Sequence, residues 1–68
     1  MSVRRNDRRV IEAAAAAAGL PPHSFFVEVQ DGVVIVNHPD SMKWSREVTE
    51  AIRAAVREVT GMHAMVVT

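Results

Sequence analysis

Apolar positions along this chain change period as it proceeds, and the changes mark out its elements. In residues 10–18 they recur at helical spacing: Val10, Ala14 and Ala17 form a stripe that Ile11 and Ala18 widen. From Phe25 to Val36, FFVEVQDGVVIV, the period drops to two. From Trp44 to Val59 the spacing is helical again, through Trp44, Val48, Ala51, Ile52, Ala55 and Val59. A short apolar run from Met62 to Thr68 then reads as a last strand. The order is helix, strand, strand, helix, strand.

Punctuation residues support these boundaries. Asn6 or Ser2 caps the first helix, and Gly19 with Leu20-Pro21-Pro22 ends it. Asp31-Gly32 is the pair a two-residue type I′ turn needs, because both central residues take positive φ. That turn sets Val29 against Val34, Val27 against Val36 and Phe25 against His38 on the core face. The other face then carries Gln30 with Val33, Glu28 with Ile35 and Phe26 with Asn37. Pro39 closes the second strand, Asp40 or Ser41 caps the second helix, and Gly61 stops it. Arg46, Glu50, Arg53 and Arg57 alternate in sign around its far side, as a solvated face does, with Lys43, Glu47 and Glu58 nearby.

Two helices with one apolar face each and a three-stranded sheet pack most simply as one α+β domain over residues 1–68, a two-layer αββαβ sandwich with both helices on one face. The third strand fits beside the first or beside the second. If it runs parallel to the second, the crossover is right-handed.

At 68 residues the chain buries only about 60% of its unfolded surface, so oligomerisation is a natural source of further stability. No cysteine is present, which excludes disulfides and thiolate chemistry and fits a cytoplasmic, reducing setting. The N-terminus lacks the Leu-rich core of a signal peptide, and no segment is long enough to span a bilayer. Seven Arg against one Lys, on an Ala- and Val-rich background, resembles coding from a GC-rich genome such as an actinobacterium or its phages. Net charge is zero, but Arg4, Arg5, Arg8 and Arg9 crowd the first nine residues, opposed there only by Asp7. They are the candidate nucleic-acid contacts; the plainer reading is a solvated helix start in which Arg8 pairs with Glu12.

Other chemistry is poorly supplied. His23, His38 and His63 are the only soft ligands and share no preorganising spacing, so no metal site is expected. Ser24, Ser41 and Ser45 lack a placed His-Asp pair, and Glu47, Glu50 and Glu58 lie on the outer helix face, so no catalytic residue is expected. Gly19, Gly32 and Gly61 are each accounted for by a turn or a cap, which leaves no phosphate loop and no cofactor. Trp44 reads as an anchor over the sheet edge. What remains is interaction: Phe26, Val33 and Ile35 on the second sheet face, or the free edge of the last strand, as a surface for a second copy and a protein partner.

The residues from Val27 to Val67 resemble a BON domain, a small αββαβ module with the pattern V-x-D-G-x-V, a helix with spaced alanines, then G-V-x-x-V. The matching residues are Val29, Asp31, Gly32 and Val34, then Ala51 and Ala55, then Gly61, Met62 and Met65 to Val67. Asn37-His38-Pro39 stands where that family usually has a glycine. The resemblance implies the αββαβ order and a binding role. A KH-like fold shares the element order, but its G-x-x-G loop is missing here.

Overall fold

A computed structural model describes residues 2–68. It is an α+β fold with helices α1 (Arg8–Ala18) and α2 (Arg46–Thr60) and strands β1 (Phe26–Gln30), β2 (Val33–Asn37) and β3 (His63–Val66). The strand order is β1-β2-β3, so β2 is central, antiparallel to β1 and parallel to β3. This settles the place of the third strand: it lies beside the second.

The hairpin forms in the register its turn dictates. Asp31 and Gly32 both have positive φ, 53° and 77°, and Val29 faces Val34 while Val27 faces Val36. Val27, Val34, Val36, Ala64 and Val66 point to one side, where they meet Val10, Ala14 and Ala15 of α1 and Ile52 and Val56 of α2. Val29 was expected in this core but is exposed, because it sits on an outer strand near the hairpin tip and α1 packs mainly along α2, only lightly on β1.

Both helix starts differ from expectation. Asp7, not Asn6 or Ser2, caps α1, its carboxylate accepting from the Arg9 N–H. Ser45, not Asp40 or Ser41, caps α2, its Oγ accepting from the Val48 N–H. Residues 41–43 form a short 3-10 turn instead, and Trp44 stands in extended backbone ahead of the helix rather than on its apolar face. Starting α2 at Arg46 turns its buried stripe to Ile52, Val56 and Thr60, leaving Ala51 and Val59 exposed on the flanks. Thr60 is tolerated in the core because its hydroxyl donates to the Val56 carbonyl and accepts from the Met62 N–H. The ends match expectation. Gly19 is left-handed, and the Gly19 and Leu20 N–H groups reach back to Ala16 and Ala15 in a Schellman pattern.

Trp44 packs against the Phe25 and His38 rings, with centroids 5.9 and 4.9 Å away. His38 is itself buried, and its Nδ1 accepts from the Asp40 N–H, which shapes the turn after β2.

Candidate interaction surface

Both helices cover the same side of the sheet, so the other side is bare. The paired registers lay it out in rows: Gln30, Val33 and His63; Glu28, Ile35 and Met65; Phe26 and Asn37, with Val67 continuing beyond β3. Phe26 is 56% exposed and Met65 54%, while Val33 and Ile35 are half-buried by their own neighbours. Sequence reasoning placed Phe26, Val33 and Ile35 together here, and the structure does bring them onto one face. It missed Met65 and Val67. Once Ala64 and Val66 are seen to face the helices, period two puts Met65 on the outside, but that step needs the position of β3.

The basic cluster flanks this face. Arg4, Arg5, Arg8 and Arg9 are all exposed. Arg5 lines a hollow of about 220 Å³ together with Phe26, Glu28, Ile35 and Asn37, so one arginine borders the bare face directly. Arg9 is drawn to Asp7, Nη2 to Oδ2 at 3.2 Å. The Asp7 carboxyl is held below its ordinary value of 3.8, first by the Arg9 side-chain hydrogen bond; partial burial opposes this, and the Arg4 and Arg9 backbone N–H groups reinforce it. The same contact shifts the Arg9 guanidinium further up, by the hydrogen bond to Asp7 and its charge. The expected pairing of Arg8 with Glu12 is not one of the two ion pairs among the described residues, which are Arg9 with Asp7 and Arg53 with Glu50. A carboxylate at the N-cap offsets the unfavourable meeting of basic side chains with the positive end of α1.

Asn6 has a role that the sequence did not announce. Its backbone is left-handed, φ 53°, its N–H donates to the Val27 carbonyl at 2.6 Å and its Oδ1 accepts from the Val27 N–H at 2.9 Å. In a two-residue hairpin the groups of Val27 point away from β2, so Asn6 closes the outer edge of β1 at that residue. The signal was an asparagine, tolerant of positive φ, directly before a capping aspartate.

The remaining candidates are dispersed. His23 and His63 are exposed and His38 is buried, and among the described residues no group of three or more His, Cys, Asp or Glu is placed to hold a metal ion. Ser24 is half-buried, Ser41 is buried in the turn after β2, and Ser45 is engaged as a cap. Glu50 pairs with Arg53 at 2.9 Å, while Glu47 and Glu58 are exposed on α2. Among the described residues no helix is long and apolar enough to cross a membrane. No family model matches the chain, and neither the curated proteins nor the solved structures contain a match.

Proposed function

We propose that the chain is a small non-enzymatic binding module that self-associates through its sheet and acts on a protein partner. The supporting observation is the uncovered face, where Phe26, Val33 and Ile35 join Met65 and Val67 as apolar side chains on the side away from both helices. The residues shared with BON domains support a binding rather than a chemical role, and the cysteine-free composition supports a cytoplasmic setting.

Magnitudes indicate how strong such a contact is. Phe26 and Met65 on two copies, each with about half of its surface still to cover, contribute roughly 3–6 kcal/mol at about 1.5–3 kcal/mol per fully buried side chain, and the more covered Ile35 adds less. Association itself costs about 4–15 kcal/mol. The face alone therefore holds copies weakly, in keeping with reversible assembly or a larger partner. Light scattering from micromolar to millimolar concentration tests this: the native chain is expected to rise above monomer mass within that range, and a monomeric mass throughout counts against the reading.

A second reading, a nucleic-acid-binding protein using Arg4, Arg5, Arg8 and Arg9, is favoured by one observation: Arg5 and Phe26 line the same hollow, which pairs a phosphate contact with a stacking ring. With Arg9 held by Asp7, three arginines set the salt response, so log affinity should fall against log salt with a slope of about −2 to −3 per subunit. Fluorescence anisotropy with duplex DNA and single-stranded RNA checks it; no binding at low salt removes this reading.

A further inference from the structure

The two edges of the sheet are finished differently. On β1, Asn6 occupies both backbone groups of Val27, which is 1% exposed. On β3 the parallel register, with the Val67 N–H on the Val36 carbonyl, turns the N–H and C=O of Ala64 and Val66 away from β2. Arg53 Nε donates to the Ala64 carbonyl at 3.1 Å. Among the described residues no hydrogen bond outside the ladder reaches the Ala64 N–H or either group of Val66. Their inward counterparts on β2, Val34 and Val36, are fully buried, whereas Ala64 and Val66 each keep 7% exposure. They border a trough of about 410 Å³ that runs along β3 and is walled by Thr49, Glu50 and Arg53 of α2.

We propose that this trough receives β3 of a second copy, antiparallel, about a two-fold axis through Met65. That register sets Ala64 opposite Val66 of the second copy and Val66 opposite its Ala64. Each is a hydrogen-bonded pair, so the outward N–H and C=O groups on both copies exchange partners. The Ala64 carbonyl has a second lone pair for this bond while Arg53 keeps the first. Another strand would satisfy the same groups, but a second copy also matches the walls. The axis runs the two α2 helices antiparallel across the seam, so Glu50 and Arg53 of one copy meet Arg53 and Glu50 of the other, opposite signs facing. Met65 stands opposite itself in a non-hydrogen-bonded pair, where side chains approach most closely. The two bare faces then join into one six-stranded face. A two-fold contact of this kind closes, whereas a head-to-tail one would run on into fibres.

This rests on the self-association proposed above, and the test separates the two. The described chain has no cysteine, so Met65→Cys supplies a single thiol. Under oxidised glutathione it should run as a covalent dimer, Glu28→Cys at the other end of the same row should stay monomeric, and the Met65→Cys cross-link should persist when Ile35→Asp is added. Loss of the cross-link with Ile35→Asp would assign it to stacked faces and overturn the edge register. In the unaltered chain, exchange of the Ala64 and Val66 amide protons should slow about tenfold when nine-tenths of the chains are paired, the Val29 amide being unaffected. Exchange at Ala64 and Val66 that is independent of concentration overturns the proposal. An oligomer without these signatures loses the edge contact and keeps the face reading; a chain monomeric throughout loses both.

Discussion

The two faces of the sheet are built from the same strands and are opposites. On the helix side, Val27, Val34, Val36, Ala64 and Val66 are aliphatic and packed to near-complete burial. On the bare side, Phe26, Ile35 and Met65 are interleaved with Glu28, Asn37 and His63. The first composition is what closing a core requires, because any polar atom there would need a partner. The second mixes large apolar side chains with polar and charged ones, which is the balance that the proposed reversible contact would need.

The difference can be broken from the helix side first. Ile52→Ala removes a fully buried side chain beneath the sheet and should cost about 2–5 kcal/mol, most of the margin of a chain this small. Urea denaturation measures it, and a loss below about 1 kcal/mol would mean that the core collapses around the gap. The same chemistry on the bare side should behave differently. Phe26→Asp or Ile35→Asp should dissociate stacked faces, leaving the circular dichroism of the chain unchanged and its own stability within about 1 kcal/mol. Unfolding of either variant would make the bare face structural rather than associative.

Smaller changes sharpen the contrast at the margins. Asn6→Gly keeps the left-handed backbone accessible but deletes the Oδ1 acceptor, leaving the Val27 N–H unpartnered at about 1–3 kcal/mol. Its signature is faster amide exchange at Val27, with the rest of the hairpin protected as before. The smallest effect is that of pH. The folded Asp7 carboxyl lies below its ordinary 3.8, so its contribution is complete above that value and is lost as pH falls through the lower folded value. Helicity at the start of α1 should fray below about pH 4, detected as selective loss of amide protection in Val10 and Ile11, while a protonation-insensitive α1 would show that the cap does little.

What could be read from the sequence follows from how local each determinant is. Asp31-Gly32 fixes a turn, and the turn fixes every β1 to β2 pair, so the hairpin and the membership of Phe26, Val33 and Ile35 in one face were legible. Gly19 and Gly61 likewise mark helix ends through their own backbone freedom. The start of α2 was not, because Asp40, Ser41 and Ser45 are all competent caps and the choice depends on His38 Nδ1 and the Trp44 ring packing the intervening turn. The neighbour of β3 is set by how α2 lies across the sheet, a long-range matter, and Met65 and Val67 were lost with it. The bonding of Asn6 to Val27 joins residues 21 apart in sequence and leaves no periodic trace.

Trp44 is the chain's only indole, and its ring lies against Phe25 and His38, neither of which belongs to the bare face or to the β3 edge. Indole emission moves to the red when water replaces packed rings, so the molecule carries its own optical reporter for the layer beneath the sheet. Assembly on the far side should pass it by in silence. Emission and particle mass followed together during dilution would therefore separate a chain that is coming apart from its neighbours from one that is coming apart within itself, with no dye attached.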